Sequence, residues 1–262
     1  MPLTPFQKGV ARILIANRTP ESHIAGGAVI NRNEAGLRIS DDLDIFHDVA
    51  ASVAASAEAD AKVLQTAGYS VEWALRNEGF FRAEVSRDRD RVRLDWATDS
   101  AFRFFPVQQD EDFGYCLHQA DLATNKVLAL AGRSEIRDFL DILQLDQDYL
   151  SLGAIMWAAC GKDAGFTPGL LLDQTNRHSR YQESDLKVEN LARPVDLREL
   201  KVQWLAARER AEKLFEHLPA EELGCLYLDP QNRPVTPNPN SADFASLTRH
   251  KGSIRGAWPK MS

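Results

Sequence analysis

Cysteine is scarce in this chain: Cys116, Cys160 and Cys225 are the only three in 262 residues. An odd, widely spaced set excludes a disulfide framework and matches no zinc-ligand spacing, so the thiols are expected to be free and buried. Long apolar runs are missing too. No stretch approaches the ~20 residues of a membrane-spanning helix. The opening Met-Pro-Leu-Thr-Pro has neither the basic nor the apolar region of an export signal. These lacks place the expected site of action in the cytoplasm, with no membrane partner. A basic excess is also absent. The net charge of −7 does not favour nucleic-acid binding through overall charge. The six histidines form no ligand spacing, and His47 alone stands beside an acidic motif. No internal repeat is visible.

What remains is ordinary globular material, 44% hydrophobic and 26% charged, long enough for one large or two modest domains. The most informative stretch runs from His23 to Asp48, HIAGGAVINRNEAGLRISDDLDIFHD. Gly26-Gly27 precedes Asp42-Leu43-Asp44 inside an apolar run. In a strand, Asp42 and Asp44 share one face while Leu43 and Ile45 face the core. Two carboxylates in register repel one another, and a divalent cation with hard oxygen ligands, Mg²⁺, relieves the repulsion. The glycines let backbone approach a phosphate closely. The bland alternative is an Asp-x-Asp pair on a solvated strand edge.

A third acid is expected at Asp95. In Arg91-Val92-Arg93-Leu94-Asp95-Trp96 the apolar residues alternate with Arg93 and Asp95, which buries one face and leaves Asp95 on the other. Beside the first strand, Asp95 would complete a three-carboxylate cluster, bind one ion and activate an attacking hydroxyl. Taken alone, Asp95 reads better as a solvent-facing strand residue paired with an arginine such as Arg93. Glu84 is a lesser candidate for the same role.

The second block, His118 to Leu145, gives helical apolar spacing over two helices broken near Gly132-Arg133. Lys126, Arg133 and Arg137 are suitable phosphate ligands there. By periodicity alone, an ordinary helix-surface network of Arg137, Asp138 and Asp141 is as good a reading.

Taken together, Gly-Gly, an apolar-flanked Asp-x-Asp and a strand with a third Asp resemble the DNA polymerase β nucleotidyltransferase superfamily. The order Asp121, Lys126, Arg133, Arg137, Asp138, Asp141 resembles the last motif of the AbiEii-type members, which are toxins of abortive-infection and toxin–antitoxin systems. Arg38-Ile39-Ser40-Asp41-Asp42-Leu43-Asp44-Ile45-Phe46 matches the way that family writes its first motif. The likeness covers roughly the first half of the chain. It implies an NTP co-substrate, Mg²⁺ on Asp42, Asp44 and Asp95, Lys126 on the nucleotide phosphates, and Asp138 orienting Lys126. Gly26, Gly27, Ser40 and Arg137 complete the implied nucleotide site. It also implies an antitoxin partner, with RNA such as tRNA as a candidate acceptor. Two family features are missing. There is no Lys-Asp-x-x-Lys between the blocks, where Ser86 to Arg91 reads as a charged hairpin turn. Gly-Gly replaces Gly-Ser, so that Ser40 would supply the phosphate hydroxyl.

The expected architecture is α+β: a small mixed-sheet, polymerase-β-like nucleotidyltransferase domain over 1–118, then a helical domain over 119–228, with the active site in the cleft between. An irregular basic tail, 229–262, carries Arg249, Lys251, Arg255, Lys260 and Trp258 and could meet RNA or an acidic partner. Helices are expected over 6–17, 49–67, 120–131, 134–144, 149–160, 168–178 and 196–217. Strands are expected over 42–46, 71–76, 80–85 and 92–97, with 102–107 and 115–118 adding an edge pairing. The leading function is Mg²⁺-dependent transfer of a nucleoside monophosphate from an NTP to an acceptor hydroxyl. The alternatives are a non-catalytic binding or regulatory module, or an enzyme acting on a protein or a small molecule.

Overall fold

A computed structural model describes residues 3–32 and 36–259. Met1, Pro2, residues 33–35 of the first motif and Lys260 of the tail lie outside the described residues. The chain divides into two units: 1–101 with 106–118, and 102–105 with 119–262.

The first unit opens with α1 (Pro5–Leu14). Thr4 caps it reciprocally with Gln7, and a proline occupies its first turn. Strand β1 (Ser22–Ala25) leads to the short helix α2 (Gly27–Ile30), then β2 (Asp42–His47) and the alanine-rich α3 (Ala50–Thr66). Gly68, at φ +83°, ends α3: its N–H reaches the Gln65 carbonyl, and that of Tyr69 reaches Leu64. A meander follows: β3 (Ser70–Asn77), β4 (Phe80–Arg87) and β5 (Asp90–Thr98). The expected charged turn is the tight link at Asp88-Arg89. Beyond β6 (Phe102–Arg103), the pair β7 (Gln108–Asp110) and β8 (Gly114–Cys116) completes a seven-stranded mixed sheet in the order β3-β4-β5-β2-β1-β8-β7.

Period-two patterning builds this sheet. Leu43 and Ile45 of β2, Ala83 and Val85 of β4, and Leu94 and Trp96 of β5 are fully buried. They share the face that packs on α3, where Val53, Ala57 and Leu64 are also buried. One charged pair enters this core. Asp60 of α3 accepts from Arg18 (2.5 and 2.6 Å), Asn17 (2.8 Å) and the Trp96 indole (2.7 Å). That set of donors gives the buried carboxylate the partners it needs. His47 faces the same side; burial, and then the Arg18 charge, lower its pKa to about 4.

The second unit holds α4 (Gln119–Gly132), α5 (Ile136–Asp148), α6 (Leu152–Ala159), α7 (Pro168–His178), α8 (Glu183–Leu186) and α9 (Leu197–His217). Every residue of α6 is buried, as a helix apolar on all sides requires. Gly153 lets α6 approach α9 so closely that a methyl there would lie 2.9 Å from the Ala211 backbone.

Two expectations fail here. The tail is not irregular throughout. Residues 229–239 form a proline-rich loop, but β9 (Cys225–Leu228) pairs with β10 (Thr248–Lys251), and β11 (Ser253–Ile254) pairs with β6. Arg249 of that tail bonds Glu222 at 2.8 Å and lies over Tyr227 and Phe244, so its charge is engaged within the unit. Nor does 102–107 pair with 115–118: Phe102 and Arg103 join β11, while Tyr115 pairs with Gln109. The cause is Asp121. Its buried carboxylate accepts the N–H groups of Phe104 (2.8 Å) and Phe105 (3.1 Å) and an ion pair from Lys162 (2.8 Å), which fastens this segment to α4. The three cysteines are free and buried, as expected.

Candidate active site

Parallel pairing of β2 with β5 sets Asp42 beside Arg93 and Asp44 beside Asp95. Antiparallel pairing of β4 with β5 sets Arg82 opposite Asp95 and Glu84 opposite Arg93. Paired residues on neighbouring strands point to the same face. One face of the sheet therefore carries two adjacent rows, Arg82–Asp95–Asp44 and Glu84–Arg93–Asp42, opposite the apolar face on α3. The structure thus brings together the three aspartates that the sequence singles out.

The partners of Asp95 and Asp42 are arginines, as the plain strand reading of Asp95 expects, but the one that holds Asp95 is Arg82 rather than Arg93. Arg82 holds Asp95 through two hydrogen bonds, Nε to Oδ1 at 2.7 Å and Nη2 to Oδ2 at 2.6 Å. Arg93 bonds Asp42 Oδ2 and stands 3.9 Å from Asp95. The Arg82 pKa lies above its ordinary value, first through the hydrogen bond to Asp95, with partial burial opposing and the charges of Asp95, Asp42 and Asp44 reinforcing. Asp42 and Asp95 are buried, whereas each arginine side chain is 38% exposed. Among the described residues, no three carboxylates, thiols or imidazoles converge as a ready metal cluster. The donor set is nonetheless all carboxylate oxygen on two adjacent strands, the hard-ligand chemistry that suits Mg²⁺. Asp42, Asp44 and Asp95 offer that donor chemistry, and the guanidinium groups of Arg82 and Arg93 balance the charge of Asp95 and Asp42.

Gly26 and Gly27 have a clear local reason. Gly26 adopts φ +73°, and a methyl there would overlap Asp44 Oδ2. A methyl on Gly27 would overlap the buried Arg38 guanidinium. Ser40, expected to face a phosphate, is fully buried; its hydroxyl donates to Asp42 Oδ1 at 2.9 Å, while its carbonyl accepts from Gln7. It orients the first aspartate. Glu84 is exposed and lies 3.7 Å from Arg91.

In the second unit, Lys126 of α4 bonds Asp138 at 2.8 Å and Asp141 at 3.1 Å, both on α5. Arg133 holds the other Asp138 oxygen at 2.7 Å. Burial pushes the Asp138 carboxyl up, but the Lys126 charge and the hydrogen bonds from Arg133 and Lys126 outweigh it and hold the group at about 2. Arg137 lies 4.0 Å from Glu135, and Arg133 holds Asp138 at 2.7 Å. Asp121, part of the same motif, is the structural anchor of Phe104 and Phe105. Its partner Lys162 was not legible, because nothing local marks that lysine as buried.

No protein-family profile matches the sequence, and no curated protein matches it. Solved structures do. MenT4, a nucleotidyltransferase toxin from Mycobacterium tuberculosis, is similar over 82% of this chain and 83% of its own, with 15% identity and a TM-score of 0.57. JHP933 from Helicobacter pylori is similar over 80% of this chain and 93% of its own, with 16% identity and a TM-score of 0.45. The likeness to MenT4 establishes the fold: a mixed α+β nucleotidyltransferase fold followed by helices, as the sequence motifs lead one to expect.

Proposed function

We propose that this chain is a Mg²⁺-dependent nucleotidyltransferase that moves a nucleoside monophosphate from an NTP to an acceptor hydroxyl. The observation that carries the reading is the register that sets Asp44 beside Asp95, with Asp42 two residues along the same face, in a chain with the fold of a nucleotidyltransferase. In the proposed reaction Asp42 and Asp44 would hold Mg²⁺, and Asp95 would bind one ion and take the proton of the attacking hydroxyl. Lys126 neutralises phosphate charge, and Asp138 positions its ammonium. Bound there, Mg²⁺ would supply charge neutralisation on the triphosphate and the leaving pyrophosphate. The candidate acceptor in this reading is RNA such as tRNA, and an antitoxin is the protein partner; a protein hydroxyl or a small molecule is the alternative acceptor class. No helix among the described residues is long and apolar enough to cross a membrane, in keeping with the cytoplasmic action proposed.

A non-catalytic binding module is the second reading. It is favoured by one fact: arginines already satisfy Asp42 and Asp95. Calorimetry with ATP, CTP, GTP and UTP plus Mg²⁺, on the wild type and an Asp42→Ala/Asp44→Ala variant, separates the two. Metal-dependent nucleotide binding lost in the variant supports the enzyme and names the donor. A folded wild type that binds no NTP overturns it. Growth arrest on expression, relieved by Asp42→Ala, tests the toxin role.

A further inference from the structure

Two of the four side chains in contact on the acidic face are arginines that the proposed chemistry does not use. The Arg82 fork takes one lone pair on each Asp95 oxygen and Arg93 takes one on Asp42 Oδ2, so a cation must compete with two guanidinium charges for these carboxylates. A divalent cation drawn onto Asp95 and Asp42 meets the positive charge of Arg82 and Arg93 at close range and displaces them. Freed guanidinium groups on a half-exposed sheet face, next to a cation, are preorganised for the next anion to arrive, and the fork of arginine matches phosphate oxygens. We infer that Arg82 and Arg93 are exchange ligands of the site: they hold Asp95 and Asp42 in the empty state and transfer to the polyphosphate of the incoming nucleotide when a divalent cation takes the carboxylates.

This rests on the nucleotidyltransferase reading and adds a specific consequence. Cation and polyphosphate must bind with positive coupling, because each relieves the charge that the other's partner leaves behind. The coupling is reciprocal. The empty site is also kept close to neutral, so three crowded acids cost the fold less than they would alone. Arg82 and Arg93 act as positioning residues for the metal and as ligands for phosphate.

The test uses Mg²⁺ and inorganic tripolyphosphate as probes, so it needs no turnover. Calorimetry on the whole chain measures Mg²⁺ affinity with and without saturating tripolyphosphate. In the wild type, tripolyphosphate should tighten Mg²⁺ binding about tenfold. In Arg82→Gln/Arg93→Gln, Mg²⁺ alone should bind about tenfold tighter than to the wild type, and the coupling should fall to about onefold. Arg76→Gln, which removes one positive charge at an exposed arginine paired with Glu58, reports charge loss away from the carboxylates and should leave both values unchanged. Should the double variant not fold, Arg93→Gln and the charge-keeping Arg82→Lys/Arg93→Lys replace it, the lysine variant retaining the coupling in reduced form. Mg²⁺ affinity in Arg82→Gln/Arg93→Gln no higher than in the wild type, or undiminished coupling, overturns the inference. Mg²⁺ binding that persists in Asp42→Asn/Asp44→Asn overturns the function reading as well, which tells the two failures apart.

Discussion

Replacing Asp138 with Asn should destabilise the helical unit by an amount that depends on pH. In the folded chain Lys126 and Arg133 hold the Asp138 carboxyl at about 2, against an ordinary 3.8. That difference corresponds to about 2–3 kcal/mol of folding stability at neutral pH. Breaking a buried ion pair by removing one partner usually costs about 3–5 kcal/mol. Here Lys126 keeps Asp141 at 3.1 Å, so the lower value is expected. The sign follows from the depressed pKa: the contribution is complete above the ordinary value and disappears as pH falls through about 2. Hydrogen exchange of the α4 and α5 amides, measured across a urea series, reports this unit directly. The Asp138→Asn deficit should be constant from neutral pH to about pH 5 and shrink steadily below about pH 4. In a Lys126→Met background the same substitution should cost markedly less. A neutral-pH deficit under about 0.5 kcal/mol, the scale of an exposed pair, or one that does not shrink in acid, would refute the assignment of Asp138 as the carboxylate that holds Lys126.

His47 should produce a separate step at higher pH. Its lowered pKa means that the folded chain favours the neutral ring, so stability is complete above pH 6.5 and declines as pH falls toward about 4; His47→Gln should remove that decline from a pH series of urea midpoints. Gly26→Ala should cost about 1–3 kcal/mol in backbone strain alone and also weaken Mg²⁺ binding, because its methyl displaces the Asp44 carboxylate; thermal melting and calorimetry check the two effects. Asp121→Ala should cost about 3–5 kcal/mol by leaving Lys162 buried without its charge partner, and an unchanged urea midpoint would contradict the anchoring role.

The legible parts of the molecule were those encoded locally. Period-two alternation exposed the strands of Asp42, Asp44 and Asp95, because burial on one face forces it. The helical spacing of 119–148 gave α4 and α5 for the same reason. A two-residue turn at Asp88-Arg89 even fixes the register of β4 on β5, from which Arg82 falls opposite Asp95; that signal was present and unused. The register of β2 on β5 was not available, since a parallel pair is joined by no turn and Asp42 meets Arg93 across 51 positions. The same limit hid Arg18 with Asp60 and Lys162 with Asp121, whose ion pairs join residues far apart in sequence. The tail misled because a proline-rich loop separates β9 from β10, so neither short strand shows its partner.

The Asp121 anchor means that the chain passes between its two units three times, at 101/102, 105/106 and 118/119. The helical portion is consequently not a removable cassette. A fragment beginning at Gln119 would carry the receptor carboxylate and its lysine into the interior without the Phe104 and Phe105 amides that fill them, and would strip β11 of its strand partner. Synthesis on the ribosome runs into the same dependence in the opposite direction: Phe104 and Phe105 emerge early and wait, with two apolar rings uncovered, until α4 and the tail residue His250 arrive to enclose them. The second unit of this protein is completed by four residues donated from near the end of the first.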